Sequence, residues 1–181
     1  MATKADITAE LLCSMLDYDP ETGIFVWRDR PGSDHQTNAW RAKFAGKVAG
    51  SLNRGGYIDI GFWVEGVRVR NYAHRLAWLY VHGVWPEEHI DHIDGNRTNN
   101  RIANLRPATA AQNAHNTGAR SWSKSGIKGV TWDRERRKWF VSIFVNRKQI
   151  ALGRYDTQEE AAAAYAEAAR KYHGEFANTG E

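Results

Sequence analysis

"DHIDGNRTNNRIANLRPATAAQN", residues 91–113, concentrates Asp, His and Asn in one short stretch, and its reading decides the fold. Working outward, "EEHIDHID" (87–94) reads as a short strand and "GN" (95–96) as a turn. "NNRIANLR" (99–106) reads as a return strand or loop, and "ATAAQNAHN" (108–116) as a short helix. Solvation would explain any one of these polar residues, with the asparagines capping a turn. Their joint spacing points to chemistry. Successive side chains on a strand face opposite ways, so Asp91 and His92 diverge and cannot form a dyad. One can hold a metal while the other holds a water. Imidazole titrates near neutral pH, which makes His92 the natural general base for hydrolysing a phosphodiester. Asp94 and the asparagines are hard oxygen donors, suited to one Mg²⁺ or Mn²⁺ rather than zinc.

The flanks supply a framework. Residues 7–16, "ITAELLCSML", read as a helix capped by Thr8, with Leu12, Met15 and Leu16 inward. "DPETG" is a turn and "IFVW" a strand, while residues 29–43 lack periodicity and are expected to be a loop. "GGYIDIGFWVEGVRVRNY" reads as a hairpin turning at Glu65-Gly66, with Arg68 and Arg70 opposite Val67 and Val69. That basic face is either solvated or a contact for nucleic acid. "AHRLAWLYVHG" is expected to be a helix ending near Gly83, with Leu76, Leu79 and Tyr80 spaced for burial.

Composition narrows the classes. A chain of 181 residues holds one sizeable domain or two small ones. The net charge of +4 and pI near 9.3 lean toward an anionic partner. A single cysteine, Cys13, excludes a disulfide framework and a cysteine zinc site, and its helix suggests a buried, inert thiol. The start "MATKADITAE" is polar and no apolar run approaches a membrane span, so a cytoplasmic protein is expected, with no membrane partner and no small-molecule cofactor.

Charge is unevenly spread. Residues 121–154 carry nine Lys/Arg against two acids, a net of +7, whereas 155–181 carry a net of −4. Small polar residues around "TGARSWSKSG" mark a linker. "KGVTWD", "KWFVSIFV" and "KQIALGRY" then read as strands, followed by a helix opened by a Thr157/Glu160 capping box and closed at Gly174. Strand alternation puts Val130, Trp139, Val141, Ile143, Ile150 and Leu152 toward that helix. The opposite face offers Lys138, Ser142, Phe144, Gln149 and Arg154, with Lys128, Thr131, Trp132, Arg134, Arg136 and Arg147 at turns or edges. A face of this kind can enter the major groove of double-stranded DNA.

Two resemblances follow from these residues. "DHIDGNRTNNRIANLR" with its following "QN", the upstream "AHRLAWLYVHGVWP" and "YDPETGIFVW" together resemble the HNH nuclease motif of phage and intron homing endonucleases, over about residues 15–117. The resemblance implies a ββα-metal fold around one divalent cation. Asp91 would then ligate the metal and His92 would be the base. Asn104 would hold the hairpin and orient His92, and Asn113 would be the second ligand, a His-Asn-Asn variant. His115 and Asn116 stand near enough to compete for that last role, while His89 and His74 are read as structural or DNA-facing. "GV", "KWFVSI" and "LGRYDTQEEAAAAYAEAARKYHGEFA" resemble the Apetala-two, or ethylene-response-factor, DNA-binding domain over about 126–178. It implies a three-stranded antiparallel sheet packed on one helix. Thr131, Asp133, Ser142 and Ala151 replace residues that are Arg or Trp in plant relatives, so no target site carries over.

The expected architecture is α+β: an HNH region over 1–117 with its motif core at 72–117, a linker at 118–125 and the DNA-binding domain at 126–181. The expected function is a metal-dependent DNA endonuclease acting as monomer or dimer on duplex DNA. A DNA-binding regulator with a spent nuclease module, or an RNA-binding protein, are the rivals.

Overall fold

The computed structural model describes residues 7–120 and 122–179. The polar start at 1–6, Ser121 of the expected linker and residues 180–181 lie outside the described residues. The chain divides into two compact units, Met1–Pro107 and Ala108–Glu181.

The first unit opens with α1 (Ala9–Met15), where the Thr8 hydroxyl accepts from the Leu11 N–H at 3.2 Å. The helix gives way to β1 (Leu16–Asp19), which pairs antiparallel with β2 (Ile24–Trp27) across the DPETG turn. Leu12 and Leu16 are fully buried as expected, but Cys13 is only half-buried, because α1 turns one flank to solvent. The expected loop over 29–43 is instead largely helix, α2 (His35–Phe44). Asp34 caps it by accepting from the Gln36 and Thr37 N–H groups, and Trp40 and Phe44, one turn apart, pack their rings on Trp27. No residue of α2 is buried, so the helix has no apolar stripe for periodicity to reveal.

β3 (Ser51–Leu52), β4 (Ile58–Val64) and β5 (Val67–Tyr72) form an antiparallel sheet in that order. Positive φ at Glu65 (48°) and Gly66 (76°) makes the β4–β5 connection the tight hairpin turn expected there. α3 (Ala73–His82) lies against this sheet with Leu76 and Leu79 buried, and ends on Gly83 in the left-handed region. β6 (His89–His92) and β7 (Leu105–Ala108) pair as a second ribbon. The core joins Leu12, Leu16, Phe25, Ile60, Phe62, Leu76, Ile90 and Leu105, so the ribbon is anchored from beneath by Ile90 and Leu105.

In the second unit, α4 (Ala110–Asn116) begins with a Thr109/Gln112 capping box. β8 (Val130–Asp133), β9 (Lys138–Val145) and β10 (Lys148–Tyr155) follow as an antiparallel sheet ordered β10-β9-β8, with α5 (Gln158–His173) packed across it. Val130, Val141, Ile143, Ala161, Tyr165, Ala168 and Ala169 form its core. The alanines let helix and sheet approach closely. At Gly129 (φ 73°) a Cβ would stand 2.4 Å from both the Ser142 carbonyl oxygen and the Tyr165 ring, so only glycine fits. Segment 122–127 is tied down rather than loose: Ser125 donates to the Val130 carbonyl at 2.7 Å and Gln158 to the Ser125 carbonyl at 2.7 Å.

Candidate active site and nucleic-acid interface

β6 delivers Asp91 and His92 into buried positions, 3% and 5% exposed. A carboxylate at that depth needs a cationic partner. Arg106, on the facing strand β7, supplies it: its Nε and Nη2 both donate to Asp91 Oδ2, at 2.9 and 2.8 Å. The contact sets the carboxylate's orientation.

His92 Nε2 lies 3.2 Å from the Oδ1 of Asn100, itself buried, whose Nδ2 donates to the Thr98 carbonyl at 3.3 Å. An amide oxygen only accepts, so Nε2 carries the proton and the neutral imidazole's lone pair sits on Nδ1. Burial pulls the His92 pKa below the ordinary imidazole range, partly opposed by the Asn100 bond and by Asp94 and Asp91. Around the ring stand Tyr57, 6.1 Å away between centroids, and His74, edge-on at 5.0 Å and stacked on Tyr72 at 5.3 Å. Burial holds His74 neutral, with a pKa lowered to about 3.

Asn104 stands in a different part of the ribbon. Its Oδ1 accepts from the Asp94 N–H (3.1 Å), and its Nδ2 donates to Asp94 Oδ1 and to the Asn99 carbonyl, each at 2.9 Å. It therefore ties the hairpin loop together, while the amide on His92 is that of Asn100. Asp94 also accepts from the Asn99 amide and the Asn96 N–H, so both its oxygens serve the loop. Burial opposes ionisation, but those donors outweigh it and hold Asp94 below the usual carboxylate range. Asn113 lies on α4, half-buried, in the second unit.

Among the described residues no three His, Cys, Asp or Glu side chains gather as a metal site. The donors on offer are the Asp91 carboxylate and asparagine amides, all hard oxygens. That set fits Mg²⁺ or Mn²⁺, which take few protein ligands and complete their shells with water and phosphate. Sequence reasoning missed Asn100, Arg106 and Tyr57 and read His74 only as structural or DNA-facing, whereas its ring is buried against His92. Asn100 belongs to the same asparagine cluster as Asn104, and nothing short of the loop's path distinguishes them.

On the second unit, β9 and β10 present Lys138, Phe140, Ser142, Phe144, Gln149 and Arg154 on the face away from α5. Three cations there are engaged by acids: Lys138 by Asp156 (3.1 Å), and Arg154 and Arg136 by Asp133 (2.9 and 3.5 Å). Arg134 and Arg147 are exposed without an acidic partner among the described residues, and Asn146 and Arg147, both at positive φ, form the β9–β10 turn. Ser142 is buried and accepts from the exposed Gln149 at 2.9 Å. Trp132 pairs opposite Trp139, their rings 5.0 Å apart, on the α5 side of β8. Thr131 and Phe144 are exposed. Lys128, expected at a phosphate, instead gives its ammonium to the carbonyls of Ala114, His115 and Thr117. In the first unit Arg68 and Arg70 are exposed on β5, Arg70 within 3.9 Å of Asp59.

Known proteins match both units. The profile of the HNH endonuclease family matches residues 71–115 and that of the AP2 domain residues 125–175. Protein 3.8 of Escherichia phage T7 is 35% identical over 105 residues, 58% of this chain and 86% of its own length. The uncharacterized HNH endonuclease L560 of Acanthamoeba polyphaga mimivirus is 33% identical over 106 residues, 58% of this chain and 54% of its own length. The structure describing DNA binding and cleavage by the HNH homing endonuclease I-HmuI superposes with TM-score 0.41 at 25% identity, over 56% of this chain and 51% of that one. The chain thus spans about half the length of the last two. Among the described residues no helix is long and apolar enough to cross a membrane. The chain belongs to the HNH endonuclease family and carries an AP2 domain toward its C-terminal end.

Proposed function

We propose that this chain is a divalent-metal-dependent DNA endonuclease of phage or mobile-element type. His92 is its general base, Asp91 and Asn113 hold one Mg²⁺ or Mn²⁺, and the AP2 sheet brings duplex DNA to the site. The observation that carries this reading is the His92–Asn100 contact beside the buried Asp91, inside the segment matching the HNH profile. A protonated Nε2 locked on an amide oxygen leaves Nδ1 as the basic atom, and burial keeps the ring neutral at working pH. The water's oxygen bonds to phosphorus, its proton passes to His92, and the P–O3′ bond breaks. The imidazolium so formed is stabilised by the Asn100 oxygen and the nearby Asp94 carboxylate. When bound, the divalent ion neutralises charge on the phosphoryl oxygens and the departing O3′. Arg106 holds the Asp91 carboxylate in orientation as a ligand, and Asn104 braces the loop that carries Asn100. Arg134 and Arg147 offer phosphate contacts, with Lys138, Arg136, Arg154, Thr131, Phe144 and Gln149 around them and Arg68 and Arg70 as a second basic strip.

One site per chain implies a nick, or a double-strand break when two chains or two encounters cooperate. Conversion of supercoiled plasmid to open circle with Mg²⁺ or Mn²⁺, with and without chelator, tests the reading. His92→Ala should abolish nicking and leave duplex retention unchanged. Nicking that persists in His92→Ala would overturn the assignment. A chain that retains duplex DNA but never nicks it would instead be a DNA-binding regulator.

A further inference from the structure

Helix α4 has only seven residues, well short of the roughly 12–15 an isolated helix needs in water. Something must hold it, and its three alanines, Ala110, Ala111 and Ala114, are exposed, so apolar burial contributes little. None of its residues joins the core of the second unit, and its only buried side chain is Asn116. Beside it lies a cavity of about 790 Å³, lined by Ala111, Ala114 and His115 of the helix and by Trp122, Phe144 and Tyr165. Besides the Thr109/Gln112 box at its start, α4 is held by polar contacts at its C-terminal end. Lys128 Nζ donates to the carbonyls of Ala114 (2.8 Å), His115 (2.8 Å) and Thr117 (2.7 Å), and Asn178 Nδ2 donates to that of Asn116 (2.8 Å). Four consecutive carbonyls, which a helix end leaves without intrahelical partners, are thus received by two AP2-domain side chains. A cation at this end also meets the negative pole of the helix. The His115 ring stacks on that of His173, centroids 3.7 Å apart and nearly parallel, and His173 is fixed by the Phe144 carbonyl at 3.0 Å.

We infer that Lys128 is a positioning residue for cutting: by clamping the C-terminal end of α4 to the AP2 domain it fixes the orientation of Asn113, the residue directly before the first clamped carbonyl. The inference rests on the reading of Asn113 as a metal ligand. It turns a lysine of the DNA-binding domain, which by charge alone would be a phosphate contact, into a support for the metal site. The helix that bears the ligand then moves with the domain that reads DNA.

The test uses the full chain with Lys128→Met, which keeps the aliphatic stem and removes the three donors, and with Asn178→Ala as a milder variant. Thermal melting selects a temperature at which each variant is folded. Should Lys128→Met not fold, Asn178→Ala carries the same measurements, with a smaller change in the same direction. Hydrogen–deuterium exchange over residues 108–117 should accelerate while the β9 amides stay protected. The Mn²⁺ concentration that half-saturates nicking should rise about tenfold, as for other outer supports of a metal ligand, with duplex retention unchanged. Unchanged exchange in α4, or faster exchange with unchanged Mn²⁺ dependence in a wild type that cuts, would overturn the inference alone. A wild type that never cuts with Mn²⁺ would overturn the nuclease reading and this inference with it.

Discussion

Replacing Asn100 by alanine isolates the contact on which the proposed base depends. Asn100 is 2% exposed and its Oδ1 lies 3.2 Å from His92 Nε2. During hydrolysis the ring gains a proton, so this becomes a hydrogen bond to a cation. Such bonds contribute roughly 1.5–3 kcal/mol, against about 1 for a neutral pair. Losing the difference, about 0.5–2 kcal/mol, should slow the chemical step roughly 2- to 30-fold, since each 1.36 kcal/mol is a factor of ten, and losing the tautomer lock acts in the same direction. Substrate affinity should barely change, because Asn100 is buried within the first unit, whereas the AP2 sheet belongs to the second. Single-turnover nicking of supercoiled plasmid at saturating Mn²⁺ reads the rate, and duplex retention reads binding. Asn100→Asp keeps an acceptor and adds a negative charge beside the imidazole. It should retain more activity than alanine and move the acid limb of the pH–rate profile upward, because an anion favours the imidazolium. An alanine variant cutting at the wild-type rate would show that Asn100 does not orient the base. A loss matched by Asn104→Ala, with the His92 environment unchanged by imidazole NMR, would assign the effect to general loosening of the loop.

Other perturbations test the surroundings. Gly23 has φ 73°, and a Cβ there would stand 2.4 Å from the Arg101 backbone nitrogen and 2.5 Å from the Asn100 carbonyl carbon. Gly23→Ala should therefore cost roughly 2–3 kcal/mol in urea unfolding and slow nicking, by pushing on the residue that holds His92; a neutral result in both would refute this coupling. His74 stays neutral in the folded protein down to about pH 3, whereas the unfolded chain takes up that proton near 6.5. The unfolded state binds more protons between those values, so stability falls on acidification, by about 2 kcal/mol for this group between pH 6.5 and 5. His74→Phe should lose less stability than wild type over that interval, and equal losses would refute the assignment. Arg147→Ala should weaken duplex retention for all sequences and reduce the slope of log affinity against log salt by about one, while Lys128→Met leaves that slope unchanged. The reverse pattern would return Lys128 to the DNA surface.

Much of the architecture is written locally. The β4–β5 turn at Glu65-Gly66, the Thr157 capping box, the end of α3 at Gly83 and the face of β9 that meets α5 all depend on residues a few positions apart. Backbone sterics and side-chain alternation act at that range, so a single sequence displays them. The α2 helix escaped because it buries nothing and is held by a cap and three aromatic rings rather than by a stripe.

Sequence alone determined that Asp91 and His92 share a short strand followed by clustered asparagines and a short helix, because those are statements about spacing. Which asparagine meets the imidazole, which arginine neutralises Asp91, and that Lys128 grips a helix end were decided only by the tertiary structure. Several chemically equivalent side chains compete for each of those partners. The winner is set by the path of the intervening chain and by what is desolvated along it, quantities that exist only once the core has closed.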